Sequence, residues 1–338
     1  MRVGLCGFPG AGKSTVFQAL SPGAPSSRGG VVLGNIKVPD DRVDELANYF
    51  KPQRTVYAET TFMDVQGAGG RVGGAFPPHV VEAMRNADVL VHVVRTFESP
   101  YVTTPPDPER DMDAFEQELI LLDLGILEKR AQRFAKEHRK GTEVDVNTAC
   151  VSWLEEGRPL RDLTLTATER ATLQGIQLLS LPPLITLFNV AEDDWETSPW
   201  RHTDRENALA ICGTLEAEIA QMPPEEQREF LEGLGLGEPA RNEFIRAAYR
   251  ALDLISFLTV GPDECRAWPV RRGSTARKAA GKIHSDLERG FIRAEVYRLE
   301  DLRQYGSEAA LKAAGKIRVE GKDYIVQDGD ILHIRFNV

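Results

Sequence analysis

Residues able to bind a nucleotide gather at three points of the chain, and the first is the most specific. Gly7-Phe-Pro-Gly-Ala-Gly12-Lys13-Ser14 fits the pattern G-x-x-x-x-G-K-[ST] at every position. Glycines let a backbone fold tightly enough to aim successive N–H groups at phosphate oxygens, and a following helix adds its positive N-terminal end. Lys13 is then placed for the β- and γ-phosphates and the Ser14 hydroxyl for Mg²⁺, with Pro9, Gly10, Ala11, Gly12 and Thr15 completing the phosphate-binding set. A glycine-rich turn can also merely join a strand to a helix. The apolar Val3 and Leu5 before the loop and the helical Thr15-Val-Phe-Gln-Ala-Leu20 after it favour the nucleotide reading.

The second point is Asp64-Val-Gln-Gly67, a D-x-x-G at the end of the apolar segment Thr60-Thr-Phe-Met-Asp64. In nucleotide switches such an aspartate holds Mg²⁺ through water, and the glycine N–H faces the γ-phosphate. Asp64 and Gly67 therefore join Lys13 as expected catalytic residues, and Asp64 joins Ser14 as an expected metal site. Alone, D-x-x-G often marks an ordinary turn; its place after a phosphate loop gives it weight. The third point is Asn189-Val-Ala-Glu192, after the apolar run Leu184-Ile-Thr-Leu-Phe. Guanine-specific switches carry N-K-x-D here, and its aspartate accepts hydrogen bonds from guanine N1–H and the 2-amino group. This chain lacks the lysine, and its carboxylate is one methylene longer. Adenine has no 2-amino group and its N1 is an acceptor, so ATP and ADP are expected in preference to guanine nucleotides. Asn189, Val190 and Glu192 are the expected base-side residues, with Cys212 and Gly213 in the loop after the last strand.

The elements that must position these residues alternate between strand and helix patterns. After the turn-rich Ser21-Pro-Gly-Ala-Pro-Ser-Ser-Arg-Gly-Gly30, residues 31–38 alternate as a strand, and Asp40 or Asp41 caps a short helix ending near Phe50. Residues 56–65 read as a further strand. The run 87–94 is continuously apolar, as in a central parallel strand, and His92 within it reads as a core histidine rather than a catalyst. Residues 111–140 form a long helical pattern with Phe115, Leu119, Leu122 and Ile126 on one stripe and a strongly basic second half. The break at 141–146 and helical patterns at 148–156 and 166–179 make this excursion a helical insert. Its basic face is ordinarily just solvated, though it could also meet RNA. A last strand with its loop over 208–214 and helices over 215–222 and 225–234 follow, and 241–252 ends the region.

Length allows two or three domains, and no apolar run is long enough to span a bilayer, so no membrane partner is expected. The N-terminus carries no signal-peptide pattern. Cys6, Cys150, Cys212 and Cys265 form no C-x-x-C pair, which suits free thiols in a reducing cytoplasm. No histidine is spaced for metal ligation, so no transition metal is expected. The net charge of −10 is uneven: from Phe257 onward there are 15 basic and 12 acidic residues. Six basic residues and no acid lie between Arg266 and Lys282, a pattern compatible with a phosphate-rich partner.

Over essentially its whole length the chain resembles the YchF-type, Obg-like ATPases of the translation-factor GTPase class. The likeness rests on Lys51-Pro-Gln-Arg-Thr55, Glu118-Leu-Ile-Leu-Leu-Asp123 and Asn189-Val-Ala-Glu192. It is strongest in the C-terminal Ala279-Ala-Gly-Lys-Ile-His-Ser-Asp286, Gly290-Phe-Ile-Arg-Ala-Glu295, Glu320-Gly-Lys-Asp-Tyr-Ile-Val326 and Gly329-Asp-Ile-Leu-His-Ile-Arg-Phe-Asn-Val338, which look like a TGS domain. The resemblance implies an α/β fold: a Ras-like P-loop NTPase domain (1–112 and 181–256), an inserted helical hairpin (113–180) and a C-terminal β-grasp-like TGS domain (257–338). It also implies ATP hydrolysis with Mg²⁺ and association with the ribosome or ribosomal RNA.

The chain departs from the family pattern in its switches. The family's loop usually has asparagine where Gly10 stands, a residue that helps hold potassium in related cation-dependent GTPases. The first-switch threonine has only Ser26 and Ser27 as poor equivalents, the segment after Gly67 is short, and the family more often reads C-A-K at Cys212-Gly-Thr214. Ras-like switches place a glutamine where Ala68 stands. These features describe a divergent member with shortened switches, slow to hydrolyse without a partner and not strongly stimulated by potassium. The rival reading is a nucleotide-binding adaptor with little turnover that presents helical and TGS surfaces. A metabolic kinase is a distant third, for want of a substrate-pocket signature or lid.

Overall fold

The computed structural model describes residues 2–22, 30–65, 76–100, 102–233 and 236–337. The chain forms two compact units, Met1–Asn35 with Thr61–Phe244 and Ile36–Thr60 with Ile245–Val338. Gly67, Gln66, Ala68, Ser26 and Ser27 lie outside the described residues.

In chain order, β1 (Arg2–Cys6) and α1 (Lys13–Leu20) flank the glycine loop. Then come β2 (Val31–Lys37), α2 (Asp41–Phe50), β3 (Arg54–Val56), β4 (Glu59–Val65), α3 (Pro78–Arg85) and β5 (Val89–Arg95). The helical excursion is α4 (Pro108–Lys136), α5 (Thr142–Glu155) and α6 (Ala167–Thr172). After it come β6 (Leu184–Asn189), β7 (Ala208–Ile211), α7 (Gly213–Ile219), α8 (Pro224–Gly233) and α9 (Ala240–Ala251).

The first unit is built on a six-stranded sheet in the order β2-β4-β1-β5-β6-β7. β1 lies parallel between β4 and β5, with β6 and β7 parallel beyond β5. All seven residues of β5 are buried, as a parallel strand covered on both faces requires. The loop thus leaves the middle of the sheet at its carboxyl edge, where open α/β sheets bind ligands.

α4 runs for 29 residues because both its ends are well made. The Asp107 side chain accepts from the Arg110 N–H, Pro108 opens the first turn beside Glu109 and Asp111, and Arg133 and Lys136 close the last. Its buried stripe is Phe115, Leu119, Ile120, Asp123 and Leu127, whereas Leu122 is only half-buried against the core. α5 starts six residues before the expected 148, directly after the Gly141 turn, and packs on α4 through Val146, Cys150 and Leu154. α6 is six residues long, far shorter than the expected 166–179. The chain turns instead at Gly175 (φ 84°), and buried Asp123 accepts from the Leu179 N–H, the Ser180 N–H and the Ser180 hydroxyl at 2.7–2.8 Å.

In the second unit the chain adds β8 (Leu254–Val260), β9 (Glu264–Arg271), α10 (Ala276–Ile283), α11 (Ser285–Arg289), β10 (Phe291–Tyr297), α12 (Leu299–Tyr305), α13 (Glu308–Ala313), β11 (Arg318–Glu320) and β12 (Ile331–Phe336). A mixed sheet in the order β11-β10-β12-β8-β9-β3 packs Phe257, Val270, Val296 and Leu332 against Ala276 and Ala279 of α10. The segment 36–60 belongs here rather than with the loop. Its β3 pairs in parallel with β9, Arg42 of α2 bridges to Asp328 at 3.0 Å, and Glu45 takes a two-pronged bond from Arg303. The strand expected over 56–65 is accordingly two strands in two sheets.

The six cations between Arg266 and Lys282 do not form one face. Arg266 shares the side of β9 with Trp268 and Val270, stacking on the Trp268 ring at 4.0 Å, while strand alternation sends Arg271 to the opposite side. Arg272 pairs with Asp253 at 3.4 Å, and Arg266 sits 3.8 Å from Glu264. Among the described residues, no helix of either unit is long and apolar enough to cross a membrane.

Candidate functional site: a phosphate loop held from three sides

The loop's geometry follows from its glycines. Gly7, Gly10 and Gly12 have φ of 137°, 76° and 84°, values that L side chains rarely adopt, so the backbone curls before α1 begins. Gly12 is the N-cap of α1 with no side-chain cap, and the first turn holds no acidic residue. Among the described residues the amides at this helix start have no protein acceptor of their own, the arrangement an anion fits.

Three neighbours hold the curl in place. From below, Phe8 is buried among Phe76, Phe115 and His92, with ring centroids 5.9–6.5 Å away. From β6, buried Asn189 donates through Nδ2 to the Ala11 carbonyl at 2.9 Å and accepts at Oδ1 from the Gly213 N–H at 3.0 Å. One side chain thus ties the loop to the start of α7. The approach is so close that a Cβ on Gly12 would lie 2.2 Å from Asn189 Nδ2. From the segment after β5, Val102 covers Gly10: a Cβ there would meet Val102 Cγ2 at 2.4 Å. The space a side chain at position 10 would use is filled.

Lys13 is 9% exposed and arcs back along the loop, its Nζ donating to the Gly7 and Phe8 carbonyls at 3.0 and 2.9 Å. Burial draws its pKa down to about 8, against the opposing pull of Asp64 and Cys6. The parallel register of β1 with β4 sets Asp64 beside Leu5, and the Ser14 hydroxyl donates to Asp64 Oδ2 at 2.8 Å. Ser14 and Asp64 are hard oxygen donors side by side, which fits a magnesium ion completed by phosphate and water oxygens. Among the described residues no group of three or more His, Cys, Asp and Glu side chains could hold a metal by itself.

Of the expected site residues, Pro9, Gly10, Ala11, Gly12, Lys13, Ser14, Thr15, Asp64, Asn189 and Gly213 are drawn together by this geometry. Val190 is 2% exposed and donates to the Ile211 carbonyl, so its side chain belongs to the core. Cys212 is likewise buried, with Sγ 3.4 Å from the Thr214 hydroxyl. Glu192 is exposed beyond β6, and its carbonyl accepts from the Trp195 N–H. His92 stacks on Phe115 at 3.9 Å, and burial with the Lys13 charge holds its pKa down to about 3, so the ring is neutral. Its Nε2 has no partner among the described residues, so the core histidine is not a fully satisfied one. The sequence gives no sign of Val102's position over Gly10, because nothing local marks it. The tie made by Asn189 is hidden for another reason: the motif suggests a base contact.

A parallel sheet with this loop at its carboxyl edge, a helical insert and a β-grasp-like C-terminal unit together define a Ras-like P-loop NTPase fold. The family model YchF-GTPase_C, described as "Protein of unknown function (DUF933)", matches residues 254–337. The chain is 38% identical over 360 positions to the ribosome-binding ATPase YchF of Escherichia coli O157:H7, covering 100% of this chain and 99% of that one. It is 36% identical to the protein of that name from Bacillus subtilis, again end to end, and 33% identical to the Obg-like ATPase 1 of Gallus gallus, 92% of which is covered. The structure of the Schizosaccharomyces pombe YchF GTPase superposes with a TM-score of 0.88 at 28% identity, over 99% of this chain and 97% of that one. The chain belongs to the YchF family. Against the Escherichia coli relative, 360 aligned positions less the 338 residues of this chain leave at least 22 without a counterpart here.

Proposed function

We propose that the chain is a Mg²⁺-dependent ATPase that associates with the ribosome and acts as a nucleotide-dependent regulator in the cytoplasm. The observation that carries the reading is the buried Lys13 beside the Ser14–Asp64 pair, at the uncapped start of α1. A triphosphate entering there replaces the Gly7 and Phe8 carbonyls as the acceptor for Lys13, and its oxygens take the free amides of α1. Mg²⁺, when bound, neutralises charge on the β- and γ-phosphates. Ser14 and Asp64 hold it, and the amide of Gly67 is assigned to the γ-phosphate. The ribosomal partner follows from the names of the relatives; a TGS character for the C-terminal unit follows from the resemblance of its sequence.

ATP in preference to GTP rests on Asn189-Val-Ala-Glu192. Asn189 is spent on the loop, and Glu192 replaces the guanine-reading aspartate. A mismatched buried polar contact is worth roughly 1–3 kcal/mol, about tenfold to a hundredfold in affinity. Slow turnover without a partner rests on Ala68, whose methyl cannot orient water, and on Gly10, whose side-chain space Val102 occupies. Calorimetry with ATP, ADP, GTP and GDP in Mg²⁺ tests the base preference; equal or tighter GTP binding sinks it. Multiple-turnover hydrolysis in sodium and potassium buffers tests the rate. Tight binding with no turnover at all, alone or with ribosomes, would favour the adaptor reading.

A further inference from the structure

The stretch Lys129-Arg-Ala-Gln-Arg-Phe-Ala-Lys-Glu-His-Arg-Lys140 holds six basic side chains besides His138, and the structure sorts them into two sets by their carboxylate partners. Arg130 and Arg139 pair with Glu143, Arg139 also with Glu137, and both guanidinium groups lie over the Phe134 ring. Lys129, Arg133, Lys136 and Lys140 have no ion pair among the described residues and are exposed. The first three are spaced i, i+4, i+7 on α4, which places them in one row on its solvent side, about 10 Å long. Lys140 continues just beyond the helix end. One turn before Lys129 lies Gly125, where an added Cβ would meet nothing within 4 Å, so that position adds no bulk beside the row.

Helix-end electrostatics explain only part of this row. Cations in the last turn offset the helix dipole, which accounts for Arg133 and Lys136, but the effect does not extend to Lys129, two turns from the end. None of the four row positions is apolar, and the exposed Leu121 of the same helix stands alone two turns before Lys129. Phe134 is buried under arginines. Protein interfaces want aromatic or apolar hot spots at their centre, and membrane-surface helices want an apolar face to bury. A row of exposed cations without carboxylate partners among the described residues suits a repeating phosphate chain, even with Arg133 resting over the Phe134 ring at 5.7 Å, and duplex RNA is bound largely through backbone and shape.

We infer that the row Lys129, Arg133, Lys136 with Lys140 docks on the phosphate backbone of structured RNA. The choice of occupant rests on the ribosomal association proposed above. It also moves the expected contact away from 266–282, where Arg266 and Arg271 lie on opposite sides of β9 and Arg266 and Arg272 have carboxylates nearby.

The test uses the full-length chain, its K129E/R133E/K136E variant, the milder K129Q/R133Q/K136Q variant, and R271E/R272E as a comparison. Binding of an RNA duplex of arbitrary sequence is followed by anisotropy over a salt series, with calorimetric ADP binding as the check of an intact nucleotide domain. Three lost phosphate contacts should lower the slope of log affinity against log salt by about 2–3 in the glutamine variant. Affinity at low salt should fall further in the glutamate variant, with ADP binding unchanged in both. Wild-type slope and affinity in these variants overturn the inference, as does loss of duplex binding only in R271E/R272E. A wild-type protein that binds anionic vesicles but no duplex overturns it too. Ribosome co-sedimentation runs in parallel. If the wild type ignores ribosomes while the duplex result holds, the ribosomal reading fails and the row stands; if the wild type binds ribosomes and the variants bind duplex unchanged, the row fails and the ribosomal reading stands.

Discussion

Replacing Asn189 separates two roles that its motif would confuse. If the side chain reads the base, Asn189→Ala should weaken one base more than the other. If it fixes the loop, all nucleotides should suffer alike. Its two polar atoms are already spent, one on the Ala11 carbonyl at 2.9 Å and one on the Gly213 N–H at 3.0 Å, and the residue is 5% exposed. Each lost hydrogen bond costs about 0.5–1.5 kcal/mol net, and a backbone group left buried without a partner raises the penalty toward 1–3. Some relief comes from water entering the space vacated beside Gly12. A loss of about 2–4 kcal/mol is therefore expected, shared between stability and affinity. Urea unfolding measures the first share and calorimetry with ADP and GDP the second. Whatever falls on binding should be equal for the two bases. Asn189→Asp is the sharper variant, because it keeps the acceptor for Gly213 but turns a carboxylate toward the Ala11 oxygen. A selective loss of adenine binding, or full ADP affinity in Asn189→Ala, refutes the account.

Two further perturbations follow from the same geometry. Free Lys13 titrates near 8 because of burial, and bound phosphate raises that value. Triphosphate affinity should therefore fall above about pH 8, by up to tenfold per pH unit, and Lys13→Ala should bind weakly with that pH dependence gone. On stability the sign is opposite: the unfolded chain binds the Lys13 proton more tightly, so this group's contribution rises with pH between about 8 and 10.5, seen as a shift in urea midpoint. Gly10→Ala must place a Cβ 2.4 Å from Val102 Cγ2 at φ 76°, and should lose about 1–3 kcal/mol by urea unfolding. Adding Val102→Ala should recover the steric part and not the backbone part, so full recovery would show that the backbone there is unstrained.

The loop was legible because all of its chemistry sits in eight consecutive residues, and the glycines at 7 and 12 of that pattern do adopt positive φ. Asp64 was legible because a strand end next to a phosphate loop leaves few alternatives. What hid from the sequence was pairing between distant residues. Residues 51–56 look like any helix end and short strand, yet Arg54 pairs opposite Glu264, a partner that no local pattern names. Arg266 and Arg271 read as parts of one cluster because charge was counted along the chain, whereas β9 sends them to opposite sides. Asp123 was missed inside its helix because a buried acid gives no periodic signal; its partners at 179 and 180 exist only after the chain has turned back.

The nucleotide loop and the cationic row share one helix, and that constrains how they can communicate. Phe115, near the start of α4, stacks on His92 and meets the edge of Phe8, the loop residue plugged into the core. Lys129 follows fourteen residues later on the same unbroken helix, about 21 Å along the axis. A contact at the row can reach the loop only if α4 shifts as a body against the Phe8–His92 packing, since a continuous helix has no hinge of its own between them. If it does, duplex RNA must change ADP affinity by some factor, and ADP must change duplex affinity by that same factor. Phe115→Leu should reduce both factors together while leaving the charge row untouched; truncation to Ala would open a costly cavity and blur the result. Reciprocal titrations measure the two factors directly. If both equal one in the wild type, the helix is a passive arm and the row serves docking alone.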